Sequence, residues 1–382
     1  MNPAPPPAQE AASVGFTPPS YPHDRLAPLA AVAASHEGGV VDLSVGRPFD
    51  PPPPSVLEAL ASSKSERNYP SSLGSARFRE AAQGWLSRRL GVDVEASAVA
   101  ACIGTKELVA GLPHWLRLRH PARDTVLYPA VSYPTYAMGA TLAGCRAVPV
   151  PLDRQWRLDL SAVADDDADR ALCLWSNTPG NPAGGLDDLG AVAAWGRRHQ
   201  VTTLSDECYV ELTWDGPRRS ILQWGSEGTL AVHSLSKRSN LAGLRVGFYA
   251  GDPELVSYLG ELRKHAGLMV PGPVQAAAAA ALDDDGHVEA QIERYRRRLE
   301  RGRQILAAAF GLDVPRPGGG FYLWVPAPGG DAWTFAERLA TEAGCLVAPG
   351  DFYGPAAEGH VRLAMVVPDE RLELVAQRLG VA

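Results

Sequence analysis

Among the residues able to do chemistry, the one placed most unusually is a lysine at the end of an apolar strand pattern. Ser234-Leu-Ser236-Lys237 follows the apolar run Thr229–His233, and eight residues on, Arg245 stands within Gly243-Leu-Arg245-Val-Gly247. Held beside strand ends, two hydroxyls, an amine and a guanidinium can grip a phosphate and an aldehyde together. Alone, Lys237 is better read as a surface lysine. With these neighbours it reads as a nucleophile, because burial and nearby cations would lower its pKa and free the amine.

Three further groupings stand where strands end. Ser205-Asp206-Glu207-Cys208-Tyr209 follows the apolar run Val201–Leu204. A buried carboxylate needs a cation or hydrogen bonds, and a protonated pyridine nitrogen is one such cation. The plainer alternative for Asp206 is a helix N-cap. Asn177-Thr-Pro179-Gly180-Asn181-Pro182-Ala183-Gly184 follows the apolar run ending at Trp175, where a ligand-binding loop belongs, and Asn177 could donate to a phenolic oxygen. Most such Asn-Pro and Gly-rich punctuation is simply a turn. Gly104-Thr105-Lys106-Glu107 precedes a helical pattern, and backbone N–H groups at a helix start bind phosphate.

These residues need elements to hold them. Between residues 100 and 250, short apolar runs (Thr125–Tyr128, Arg146–Val150, Ala171–Trp175, Val201–Ser205, Thr229–His233, Arg245–Ala250) alternate with helical patterns (Glu107–Arg117, Tyr136–Ala143, Leu186–His199, Pro253–His265). That alternation predicts an α/β fold with a mostly parallel sheet covered on both faces. After it, a long helix over Val288–Phe310 leads to strands near Phe321–Val325, Leu346–Ala348 and Val361–Val367. With helices near Trp333–Ala343 and Asp369–Leu379, these predict a smaller α+β domain. We expect a large domain over 48–282 and a small one from 21–47 with 283–382. A flexible Pro- and Ala-rich arm over 1–20, without the features of a signal peptide, precedes them. Ligands of such folds sit at the strand ends, near the small domain.

Composition narrows the function. The chain has 382 residues, 46% hydrophobic and 21% charged, and a net charge of −7 with no basic stripe, so nucleic acid is not an expected partner. The arginines between Arg294 and Arg303 follow helical spacing beside Glu293 and Glu300 and read as a solvated face. Five scattered cysteines form neither a disulfide framework nor a metal site and fit reduced thiols in a cytoplasmic enzyme. No apolar run is long enough to span a membrane.

Together the motifs resemble the aspartate aminotransferase superfamily, the fold-type I enzymes with class I/II aminotransferase activity. The likeness rests on the order and rough spacing of Asn177, Asp206, Tyr209, Lys237, Arg245 and Arg362 and runs over nearly the whole chain after residue 20. It implies pyridoxal 5'-phosphate as cofactor and a large domain built on a seven-stranded sheet. Lys237 would carry the cofactor and later move the proton. Asp206 would pair with the pyridine nitrogen, and Tyr209 and Asn177 with the ring oxygen. Thr105, Lys106, Ser234, Ser236 and Arg245 would line the phosphate cup, and Tyr133 would stack on the ring. Tyr69, in Tyr69-Pro-Ser-Ser-Leu-Gly74, would reach the phosphate of a neighbouring subunit, which implies a homodimer. Gly46 would lie in a loop over the substrate, and Arg362, in His360-Val-Arg362-Leu, would grip its α-carboxylate. By themselves Tyr69 and Tyr133 could be core or interface aromatics, and Arg362 the exposed face of a sheet.

The strings Val41-Asp-Leu-Ser-Val-Gly46, Ile103-Gly-Thr-Lys-Glu-Leu108, Ser205-Asp-Glu-Cys-Tyr209 and His233-Ser-Leu-Ser-Lys237 look like the actinobacterial succinyldiaminopimelate aminotransferases. That likeness implies exchange of an amino group between N-succinyl-LL-2,6-diaminopimelate and 2-oxoglutarate in lysine biosynthesis. Both carry distal carboxylates, for which Lys106 and Arg47 are the candidate cations. Arg47 stands where a smaller residue is expected, which leaves room for another amino acid or a secondary-metabolite substrate. A lyase or decarboxylase on the same scaffold, a PLP-sensing regulator and a plain α/β binding protein are the alternatives from other classes.

Overall fold

In the computed structural model, which describes residues 15–381, the central alternation forms one seven-stranded sheet. Its strands are β1 (Val99–Cys102), β2 (Thr125–Pro129), β3 (Arg146–Val150), β4 (Ala171–Asn177), β5 (Thr202–Asp206), β6 (Thr229–Ser234) and β7 (Gly247–Gly251). They lie in the order β1-β7-β6-β5-β4-β2-β3. β7 is antiparallel to both neighbours, and the remaining pairs are parallel. Every residue of β4, β6 and β7 is buried, as strands covered on both faces must be. One face packs Leu108, Leu112, Tyr136, Trp175, Tyr249 and Leu259. The other packs Trp85, Leu174, Val192, Ala231, Phe248 and Ala277.

The second lobe holds an antiparallel three-stranded sheet. Its strands β8 (Tyr322–Pro326), β9 (Ala348–Pro349) and β10 (His360–Ala364) lie in the order β9-β10-β8. Helices Gly286–Phe310, Ala332–Ala343 and Asp369–Arg378 accompany it around Leu299, Leu323, Phe335, Leu363 and Val375. The expected strand over 346–348 is two short pieces, because the chain changes partner at Val347. Cys345–Leu346 pairs with Val41–Asp42, and β9 pairs with β10. The strand expected to reach Val367 ends at Ala364, where the backbone turns to bond Phe321 and Phe49.

Two other expectations change. The arginine-rich helix is not solvated all round. Arg298 lies on its buried stripe with Gln291, Tyr295 and Gly302 and donates to Asp50 at 2.6 and 2.9 Å and to Asp369 at 2.6 Å. Helix Ala76–Leu90, absent from the sequence expectations, starts on a Ser75 cap and stops at Gly91 in left-handed backbone. The arm expected over 1–20 lies outside the described residues up to 14, and residues 15–20 run exposed without regular structure. Among the described residues no helix is long and apolar enough to cross a membrane.

Candidate active site

Parallel strands deliver their carboxyl ends to one edge. The register sets Asn177 of β4 opposite Asp206 of β5, and Asp206 opposite Val232 of β6. β1 reaches the same edge through β7, because Cys102 and Ser234 both lie opposite Gly247. The helix opening at Thr105 therefore starts beside Ser234 and Lys237. A cavity of about 420 Å³ opens at this edge, where α/β sheets place their ligands. Thr105, Lys106, Tyr133, Asn177, Asp206, Tyr209, Ser234, Ser236, Lys237 and Arg245 all line it, and Gly46 and Arg362 close it from the other lobe. Tyr69 does not: it is 98% exposed, on a separate surface.

Lys237 follows a Ser234 cap whose Oγ accepts from Ser236 N–H at 3.2 Å. Its Nζ donates to the Gly46 carbonyl across the lobes. Burial pulls its pKa down to about 8; Arg362 and Arg245 add to the fall, while Cys208 and Asp206 oppose it. Asp206 is buried without an ion pair among the described residues. Its carboxylate accepts from Tyr136 O–H at 2.8 Å and Cys208 N–H at 3.1 Å. Burial pushes its pKa up against those hydrogen bonds, so a cation set against it would be held firmly.

Asn177 donates from Nδ2 to the Asp206 carbonyl at 3.0 Å and accepts the Asn181 N–H at 2.8 Å, which ties the loop to the strand ends. Asn181 in turn accepts from Arg362 at 2.8 Å. Arg362 is buried, not the exposed sheet face its alternation allows, because both lobes cover β10 there. It also donates to the Ser44 carbonyl at 2.5 Å, and its guanidinium lies over the rings of Tyr322 and Tyr353 at 4.2 and 4.8 Å.

Two glycines make room. Gly104 has φ +71, and a Cβ on it would come within 2.2 Å of the Arg245 guanidinium. Arg245 does not open β7, as expected. It ends a short 3₁₀ turn at φ 53, ψ 57, two residues before the strand, and donates to the Ala242 carbonyl at 2.8 Å. That left-handed backbone carries its side chain across to Gly104. At Gly46 a Cβ would meet the Tyr322 hydroxyl at 2.0 Å. Of the two candidate distal cations, Lys106 lines the cavity, 3.2 Å from the Tyr21 hydroxyl. Arg47 is exposed, over the Phe49 ring at 4.8 Å, and is not part of the wall.

Several wall residues were missed from sequence. Tyr322 hydrogen-bonds Tyr209 at 2.8 Å, Tyr136 holds Asp206, and Tyr21, His23 and Tyr353 complete the wall. Only Tyr136 carried a signal, as the second tyrosine of Tyr133-Pro-Thr-Tyr136. The others come from the small lobe, where no motif marks them.

A lysine of lowered pKa, a buried unpaired carboxylate and a cup of hydroxyls and guanidinium at a helix start fit a phosphorylated pyridine aldehyde. The cup adjoins the helix N-terminus at Thr105, and the carboxylate suits a ring-nitrogen cation. Comparisons with known proteins agree. Residues 38–379 match the family described as aminotransferase class I and II. The chain is 44% identical to the 4-dedimethylamino-4-oxo-anhydrotetracycline transaminase of Streptomyces rimosus over 94% of its own length and 99% of the relative's. It is 34% identical to the LL-diaminopimelate aminotransferase of Aquifex aeolicus, covering 89% and 90%. The solved structure of a probable N-succinyldiaminopimelate aminotransferase from Thermus thermophilus superposes with a TM-score of 0.83 at 30% identity, covering 94% and 99%. The chain therefore belongs to the class I and II aminotransferases, pyridoxal-phosphate-dependent enzymes of the aspartate aminotransferase fold that act on amino acids and 2-oxo acids.

Proposed function

We propose that this enzyme exchanges the amino group of N-succinyl-LL-2,6-diaminopimelate with 2-oxoglutarate in the cytoplasm, as part of lysine biosynthesis. The observation that carries it is that, with Lys237 and Arg245 assigned to the cofactor, the cavity keeps two further cations, Arg362 deep in the wall and Lys106 at the Tyr21 rim. Two such cations suit substrates with a carboxylate at each end. Relatives named for diaminopimelate substrates support the same choice. Two observations favour a second reading, a secondary-metabolite substrate. A relative 44% identical over almost its full length is named for an anhydrotetracycline, and Arg47 leaves the distal end with one cation instead of two.

Bound pyridoxal phosphate supplies the aldehyde and the electron sink. We assign the chain's residues these roles. Lys237 is the nucleophile that anchors the cofactor and the base that takes the substrate Cα proton and later returns it. Asp206 would hold the ring nitrogen in its protonated form, and Tyr136 and the Cys208 N–H hold Asp206 still. Asn177 and Tyr209 would hold the ring oxygen, and Tyr133 would cover the ring. Thr105, Ser234, Ser236 and Arg245 would hold the phosphate, which leaves Lys106 for the distal carboxylate. Arg362 fixes the α-carboxylate so that the Cα–H bond faces Lys237, and the backbone at Gly46 closes over the substrate. We take 48–282 as the large domain, 21–47 with 283–382 as the small one, and a homodimer as the working unit, Tyr69 reaching the neighbouring phosphate.

The test is a panel of half-reactions. The purified holoenzyme is mixed with N-succinyl-diaminopimelate, glutamate, aspartate, alanine and aromatic amino acids, and loss of the cofactor's visible band is followed. We expect N-succinyl-diaminopimelate and glutamate to convert it fastest. Conversion by neither, with release of CO₂ or ammonia instead of an oxo acid, would overturn the assignment.

A further inference from the structure

A second cavity, of about 430 Å³, lies where the two lobes meet and shares no wall residue with the first. Its walls are the segment Arg154–Arg157 and the loop 183–186 on one side and residues 315–318 with Trp324 on the other. We propose that it is a second binding site, for a planar aromatic carboxylate, distinct from the amino-transfer centre.

The walls have the chemistry for such a ligand. Trp156 and Trp324 stand edge to face at 6.0 Å; Trp324 is stacked on His360 at 4.9 Å, so the half-buried Trp156 is the ring left to meet a flat guest. The Trp324 side chain is 6% exposed, and its indole N–H has no acceptor among the described residues; a buried donor of that kind calls for a partner. Arg154, Arg157 and Arg316 stand on this wall, where Arg157 pairs with Asp153 at 2.8 Å and Arg316 with Asp215 at 2.8 Å. Arg154 has no acidic partner within 4.0 Å among the described residues. A guanidinium left without an acid is the group that matches a ligand's carboxylate.

The backbone is committed to this arrangement. Trp156 adopts φ +60, a left-handed conformation that bulky residues avoid. Hydrogen bonds between Asp153 and Trp156 at 3.0 Å and between Asp153 and Arg157 at 2.8 Å hold it. Gly185 admits it, since a Cβ there would come within 2.2 Å of the Trp156 carbonyl oxygen. Such conformations persist where the surroundings over-determine them, and they gather at ligand sites. The wall also adjoins the amino-transfer centre. Trp324 is the cross-strand partner of Arg362, and Ala183 is two residues beyond Asn181, which accepts from Arg362.

The test uses the holoenzyme and 2-naphthoate, followed by calorimetry and tryptophan fluorescence, with cyclohexanecarboxylate and 2-naphthamide as controls. We expect saturable binding at one site per chain with a dissociation constant below about 1 mM. It should persist when the amino-transfer centre is saturated with substrate, and both controls should bind at least about tenfold more weakly. The double variant Arg154→Ala/Arg316→Ala, changed at exposed positions, should bind at least about tenfold more weakly with kcat unaltered. Trp324→Phe keeps the ring and removes the donor, so it should weaken binding without loss of fold. Absence of saturable binding, binding untouched by the double variant, or binding displaced by substrate would overturn the proposal.

Discussion

In the role we propose, Lys237 would have to lose a proton before it attacks an aldehyde, and its surroundings set the pH at which it does. Burial brings its pKa to about 8 from 10.5. The neutral fraction then rises about tenfold per pH unit below 8 and levels above it. We expect the rate of cofactor uptake by the apoenzyme to follow that curve, measured by stopped-flow absorbance between pH 6 and 10. A break above pH 10 would mean the amine is not depressed. The same shift has a sign for stability. Between pH 8 and 10.5 the unfolded chain binds more protons at this site than the folded one, so its contribution to stability rises with pH across that window. Arg362 yields a second prediction. Its guanidinium is buried and held by Asn181 and Ser44, so Arg362→Ala should raise KM for amino and oxo acids by about 30- to 1,000-fold, as loss of one partner of a buried charge pair does. Cofactor content should stay near normal, and cofactor loss instead would misplace this arginine. Lys237 and Asp206 stood out in the sequence because charged residues directly after fully apolar strands are uncommon. Tyr322 and Tyr353 did not, because an aromatic in a small-lobe strand or turn looks the same whether it faces a core or a cavity.

Elements were legible where periodicity was strong. Fully buried and mostly apolar, β4 and β6 and the helices between them could be read directly, since a parallel sheet buried on both faces leaves little polar alternation to misread. Helix Ala76–Leu90 was missed although its Ser75 cap and its Gly91 stop are in the sequence; its mixed face, with Arg77, Glu80 and Arg88, hid the buried stripe of Phe78, Ala82, Trp85 and Leu86. Arg245 was misplaced by two residues, and that error matters physically. Only the left-handed turn before β7 aims its guanidinium at Gly104. Gly104→Ala therefore sets a side chain where the guanidinium lies and adds about 1–2 kcal/mol of backbone strain at positive φ. We expect cofactor affinity to fall at least about tenfold, read by equilibrium dialysis, because the phosphate cup depends on both groups. The apoprotein should still fold, with its melting temperature a few degrees lower. Unchanged cofactor affinity would show that Arg245 and the start of the helix do not act together.

At the scale of the whole molecule, Tyr69 is the residue that one chain leaves unexplained. A tyrosine 98% exposed beside the helix cap at Ser75 buries nothing in its own chain, yet the family likeness gives it a phosphate to reach. Both facts are reconciled if each site takes Lys237 from one subunit and Tyr69 from the other, as an isologous twofold pair permits. That arrangement predicts complementation. Lys237→Ala should be inactive alone, with kcat reduced at least about 10⁴-fold, since it lacks the nucleophile and base. Tyr69→Ala should bind cofactor weakly and turn over slowly at limiting cofactor. Unfolding and refolding an equal mixture should give about half heterodimers by random pairing of subunits. In each heterodimer one site receives Lys237 from the Tyr69→Ala subunit and Tyr69 from the Lys237→Ala subunit, and is intact; the other site carries both lesions. Activity at limiting cofactor should therefore return to about a quarter of the wild-type value, one good site in every four. If each chain builds its site alone, no heterodimer contains an intact site, and the mixture shows only the average of its two parents. Native mass spectrometry of the same mixture, with one variant isotopically labelled, reports whether heterodimers form, so a failure to mix is told apart from a site that is not shared.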